Sequence, residues 1–257
     1  MGKRIGVGVA ALLIALAFVF PHATLAAARA VGYSVCHQWP EHSFAVGGAA
    51  FPLCARCTGT YFGALAVLAF AWATGRAKAG AWPPRVVAIL LAAGLALMVL
   101  DGGNSLADQL TGGRMRLYPP ANALRYATGV FSGMAMVGFG YPLLNAVLWR
   151  DWADSPILRR GREVIGLAVA VWAGLPIVSG VGWLLPLVSL LSLAGMALMF
   201  TGINMALWVV LARREERASV FRDVLPALAA GSLLASGELL LIRVARATLE
   251  RAAVGSP

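Results

Sequence analysis

Seven apolar stretches, at about residues 5–27, 58–75, 86–101, 122–148, 164–183, 186–211 and 224–242, take up most of the 257-residue chain. A run of about 20 apolar residues is long enough to cross the hydrocarbon of a bilayer. Such runs leave little polar surface to coat a soluble globule, since hydrophobic residues make up 60% of the chain and charged ones 12%. In lipid each span must satisfy its own backbone, and the stretches lack the apolar/polar alternation of a closed barrel. The expected fold is therefore all-α, a polytopic transmembrane helix bundle of about seven spans in a single integral membrane domain over residues 1–257. Pro142 and Pro176 fall inside spans, where kinks are expected and not ends.

The basic residues orient the bundle. Thirteen of the 21 Lys and Arg lie at 3–4, 76–85, 150–162 and 213–222; the other eight are Arg29, Arg56, Arg114, Arg116, Arg125, Arg243, Arg246 and Arg251. The richer side is expected to be cytoplasmic. Topology and anionic lipid then account for most of the net charge of +10, and no nucleic-acid partner is expected. Lys3-Arg4, the apolar run Ala11 to Phe20 and the small residues Ala26 to Ala30 also resemble a secretory signal. Its cleavage would leave six spans and keep the following segment on the extracytoplasmic side. Trp39, Trp72, Trp82, Trp149, Trp152 and Trp183, near the span ends, read as interfacial anchors, and Asn145 and Asn204, inside spans, as interhelical hydrogen-bond partners.

All three cysteines fall in the connection between the first two spans or at its edge: Cys36-His37-Gln38-Trp39-Pro40, then Cys54-Ala55-Arg56-Cys57. Two of the three histidines, His37 and His42, lie there too. Three readings compete. Cys54 and Cys57 have the spacing of a metal-binding knuckle, which Cys36 or His37 would complete for a zinc-like ion, with His42, Asp101 or water in any remaining position. In an extended chain Cys36 and His37 would point to opposite sides, so both can bind only if the chain turns there. The pair could instead cycle as a disulfide with Cys36 as resolving partner, since Cys57 sits near a helix start with Arg56 beside it, a setting that favours the thiolate. The third reading is a structural bridge plus one spare thiol. Covalent haem is disfavoured because Thr58, not His, follows Cys57.

A second polar group is expected on the same side: Asp101, Asn104 and Ser105 at the end of the third span, Asn122, Arg125 and Thr128 opening the fourth, and Glu238 in the last. Charge near the hydrocarbon boundary is expensive and usually functional, which makes Asp101, Asn122, Arg125 and Glu238 candidate catalytic residues. Arg125 and Asp101 also read as a structural ion pair, and Gly129 and Gly133 as helix-packing positions. No phosphate loop, His-Glu-x-x-His or nucleotide fingerprint is present.

Cys36-His37-Gln38-x-Pro40-x-x-Ser43-Phe44, Pro52-x-Cys54-Ala55-Arg56-Cys57-Thr58-Gly59-x-Tyr61-x-Gly63 and Asn122-x-Leu124-Arg125-x-x-Thr128-Gly129-x-x-x-Gly133 together resemble the signature of the predicted membrane proteins grouped as domain of unknown function 2085. The resemblance spans a core of about residues 30–135; the C-terminal spans, about 164–242, carry none of it. His42 departs from the pattern, which has Arg there. The resemblance implies a bacterial or archaeal polytopic protein of the cytoplasmic membrane with important Cys and Arg positions, and no established reaction. The leading expectation is an extracytoplasmic zinc-like site of Cys36, His37, Cys54 and Cys57 beside the Asp101/Asn122/Arg125 pocket, acting on a lipid-linked or anionic substrate. The alternatives are a membrane thiol-disulfide oxidoreductase and a transporter with a structural Cys/His cluster.

Overall fold

A computed structural model describes residues 2–46 and 48–254. Among these residues eight α-helices carry the chain: α1 (Gly2–Val19), α2 (Pro21–Gly32), α3 (Ala55–Ala73), α4 (Arg85–Thr111), α5 (Asn122–Leu148), α6 (Gly161–Gly180), α7 (Leu185–Leu211) and α8 (Phe221–Val254). Strands are short. β1 (Ala45–Val46) and β2 (Ala49–Ala50) form a hairpin between α2 and α3, and β3 (Ala79–Ala81) pairs in parallel with β4 (Ala153–Pro156). The all-α bundle is what the apolar runs require.

The first expected span is not one straight helix. α1 and α2 meet at a 106° bend at Phe20. Pro21 causes it: the ring removes an N–H from the ladder and pushes the preceding residue out of the helical region, and Phe20 stands at φ −121°, ψ 59°. Among the described residues four helical stretches are long and apolar enough to cross a membrane, namely Arg85–Thr111, Asn122–Leu148, Gly182–Leu211 and Phe221–Ala252, and the count is five if the bent pair is one span. Pro142 and Pro176 lie inside α5 and α6, which continue past them as expected.

The centre of the bundle is the α3–α5 crossing, and glycine makes it possible. A Cβ on Gly59 or Gly63 of α3 would land on the carbonyl oxygens of Tyr126 and Val130, and one on Gly129 or Gly133 of α5 would land on those of Arg56 and Thr60. Two small-x-x-x-small stripes thus face each other, backbone against backbone. Val67, Leu91, Tyr126, Val130, Met134 and Val164 close the apolar core around this crossing, drawing in α4 and α6. α7 packs against α2, α3 and α8, with Asn204 of α7 donating to Glu238 of α8 at 2.8 Å.

The crossing fixes two polar ends. At one, Arg76 pairs with Glu163, Lys78 with Asp151, and the side chain of Asn145 donates to the carbonyls of Ala77 and Ala79 at 3.2 and 2.8 Å. Trp149, expected as an interfacial anchor, is instead 3% exposed there, with the Lys78 ammonium 4.1 Å from its ring centroid. The cysteine connection, the α4–α5 loop and the C-terminal turns of α8 gather at the other.

Candidate metal centre and arginine pocket

α2 stops at Gly32, and the chain turns at once, with the Cys36 N–H donating to the Gly32 carbonyl at 2.8 Å. Gln38 adopts the left-handed conformation (φ 54°), and its amide donates to the carbonyls of Arg29 (2.9 Å) and Pro52 (2.8 Å). These bonds tie the two arms of the loop together. Cys54 caps the start of α3, and its N–H donates to Cys36 Sγ at 3.2 Å. The condition set by the sequence, a turn that lets neighbours 36 and 37 reach one point, is met. Ligand atoms of Cys36, His37 and Cys54 all lie within 4.8 Å of one another.

Cys57, one turn into α3 and expected as a fourth ligand, stands near Cys36 and Cys54 but is not among the three whose ligand atoms meet within that distance. The thiol drawn toward thiolate is Cys54: the neighbouring Cys36 and then Cys57 thiols hold it well below the usual thiol range, while the Cys54 neighbour pushes Cys36 up. Arg56, expected to act on Cys57, is turned to Asp101 on α4 instead. His37 Nε2 lies 2.9 Å from His42 Nδ1. Burial, then the nearby Arg125 charge, lowers the His42 pKa, so its ring is neutral at neutral pH.

The polar pocket next to this group is built from α3, α4 and α5. Asp101, 1% exposed, accepts from Arg56 and, at 3.1 Å, from the Tyr118 hydroxyl. Arg56 also donates to Ser105 Oγ at 3.2 Å. Asn104 holds the loop that carries Tyr118, donating to the Tyr118 carbonyl (3.0 Å) and accepting from the Leu117 N–H (2.6 Å). Asn122 bridges to the cysteine loop, its amide donating to the carbonyls of Glu41 (3.1 Å) and Ser43 (3.3 Å). Arg125 donates to the Asn122 side-chain carbonyl at 2.9 Å.

Three sequence expectations need correcting. The Asp101 carboxylate is taken by Arg56 and not by Arg125, because the tight glycine crossing brings the first turn of α3 to α4. Glu238 does not join the pocket. It binds Asn204, and it lies eight residues before Arg246, about 12 Å along α8 from the turn that reaches the cysteine loop. His42 meets His37 and not the thiol group. The α8 residue that does reach the loop is Arg246, which donates to the carbonyls of Tyr33 (2.8 Å) and Cys36 (2.6 Å). No local motif marks Arg246 as a loop contact, since the carbonyls it reaches there are more than 200 positions away in the chain.

The family of predicted membrane proteins DUF2085 matches residues 36–139, which hold the cysteine loop and the arginine pocket but end before α6. An uncharacterized protein of Methanothermobacter thermautotrophicus is 31% identical over 117 residues, covering 44% of this chain and 91% of the relative. No solved structure matches the chain. With its three signature blocks folded onto one polar end of a helical bundle, the chain belongs to the DUF2085 family of predicted membrane proteins.

Proposed function

We propose that this is a metal-site protein of a prokaryotic cytoplasmic membrane. Its Cys/His group faces the extracytoplasmic side and binds a zinc-like ion that acts on an anionic, lipid-linked substrate. The observation that carries the reading is the convergence of Cys36, His37 and Cys54 ligand atoms within 4.8 Å. Two or three thiolates with one imidazole suit a soft or borderline ion. His42 holds His37 through Nε2, which leaves Nδ1 for the ion and fixes the ring.

The substrate side is the arginine pocket. Arg125 is 6% exposed, makes one side-chain hydrogen bond and has no carboxylate partner among the described residues; its Nε, like that of Arg56, is buried without an acceptor. A buried guanidinium with unspent donors suits a phosphate-like group, which its planar fork matches. A zinc-like ion would supply an activated water or polarise the ester. Asp101 and Tyr118 orient Arg56, Asn122 orients Arg125, and the two guanidiniums hold the anion. A lipid tail has a place beside this end: a groove of about 450 Å³ between α2, α7 and α8 is lined by Ser34 and Arg243 at the cysteine side, and Val31 and Leu193 separate it from the thiols.

One observation favours a second reading, thiol–disulfide exchange: Cys36 Sγ accepts from the Cys54 N–H at 3.2 Å, and Cys54 is drawn toward thiolate. Elemental mass spectrometry of detergent-purified protein with free-thiol counting separates the two. About one zinc per chain, lost in Cys54→Ser, is expected. Absence of metal with a reducible bond between Cys54 and Cys57 would overturn the metal reading in favour of exchange.

A further inference from the structure

The last turns of α8 close over the cysteine loop through three residues. Arg246 Nη1 donates to the carbonyls of Tyr33 and Cys36, its Nε donates to Glu250 at 2.8 Å, and its guanidinium lies 4.1 Å from the Tyr33 ring centroid. The Tyr33 hydroxyl donates to the other Glu250 oxygen. Arg246 thus spends its charge on one carboxylate, one ring and the two carbonyls that bracket the turn into Cys36. Tyr33 is the residue just past α2, so the clasp ties that helix end to α8.

A helix end needs no such partner on an adjoining loop merely to stay folded. α8 already packs along α7, with Gly231 seated against Met205 and Asn204 bonded to Glu238. The bond to Cys36 falls on the one stretch of this loop whose backbone position decides whether a thiol and the following imidazole reach the same point. It also comes from outside the family match, which ends at residue 139.

We infer that Arg246 is a positioning residue for Cys36, and that the C-terminal helix thereby sets the geometry of the cysteine group. The inference rests on the metal reading only in naming Cys36 as a ligand. A charge-assisted hydrogen bond at 2.6 Å to the Cys36 carbonyl holds the backbone from which Sγ projects. Releasing it frees Cys36 while leaving Cys54 and Cys57, anchored on α3, where they are.

The test is alkylation of the full-length, detergent-purified chain after chelator treatment, with each cysteine followed separately by peptide mass spectrometry. Arg246→Met is expected to raise the Cys36 rate on the order of tenfold relative to Cys57, with Arg246→Lys recovering part of the protection. An unchanged ratio would overturn the inference. So would a common rise at all three cysteines, because that reports general loosening of the fold. Should Arg246→Met fail to fold, Glu250→Gln and Tyr33→Phe each remove one strand of the clasp and are expected to raise the same ratio severalfold. Because metal is removed first, a wild type that holds no zinc counts against the metal reading and leaves the alkylation ratio to decide the role of Arg246.

Discussion

Each polar end of the bundle holds an arginine–carboxylate pair at least partly withdrawn from water, and the two pairs are built differently. At one end Arg76 donates to both Glu163 oxygens, at 3.0 and 3.1 Å, and to the Ile157 carbonyl at 3.0 Å. Glu163 also accepts from the backbone N–H groups of Arg159 and Arg160, capping α6. Charge and donors there are nearly all matched. At the other end Asp101 pairs with Arg56, Arg125 has no carboxylate partner among the described residues, and each arginine keeps a buried Nε without an acceptor. A matched pair ties helices together, whereas an unmatched one carries a cost that folding alone does not repay. The contrast supports the proposal that the Arg56/Arg125 end is the working end and the Arg76 end a fastening.

The largest effect is expected at the fastening. Arg76→Met leaves the partly buried Glu163 carboxylate without its guanidinium and should destabilise the protein by about 2 kcal/mol, read as a lowered melting temperature in detergent. Retention of the wild-type melting temperature would erase the contrast. A smaller, pH-dependent effect sharpens it. Burial alone would push the Glu163 carboxyl up, but hydrogen bonds from Arg76 and the two backbone N–H groups outweigh it and hold the group below the usual carboxylate range. Its stabilisation is therefore complete above the unfolded-state pKa and is lost as pH falls through the lower folded-state value. The melting-temperature gap between wild type and Glu163→Gln should shrink on acidification; a gap that widens would mean the carboxylate is not stabilised by its partners.

The smallest stability effect belongs to Arg125. Arg125→Met should change stability by less than about 1 kcal/mol, or raise it, because the charge removed has no carboxylate to strand. Added inorganic phosphate is expected to raise the melting temperature of the wild type and not that of this variant. A large destabilisation with phosphate stabilisation intact would move Arg125 into the same class as Arg76.

The helical bundle was legible from the apolar runs because a bilayer leaves the backbone few ways to satisfy itself. Pro21 could have been read as a break but sat within a run whose hydropathy did not fall. The cysteines were legible as a group because short spacing keeps them together in most loop conformations. Gly129 and Gly133 were legible as packing positions, yet their partners Gly59 and Gly63 appeared only as letters in a signature. That crossing is what gives Asp101 to Arg56. Glu238 was placed by its nearness to the end of an apolar run, but α8 continues helical to Val254, which leaves the carboxylate deeper than Arg246.

By itself the sequence determined the all-helical membrane architecture, the basic asymmetry of its two ends and the presence of a Cys/His group, because these follow from hydropathy, charge and short-range spacing. Tertiary structure alone decided which arginine meets which acid and which helix clasps the cysteine loop. Those pairings join residues about 45 to over 200 positions apart, and only the angle and depth at which helices cross bring such residues together.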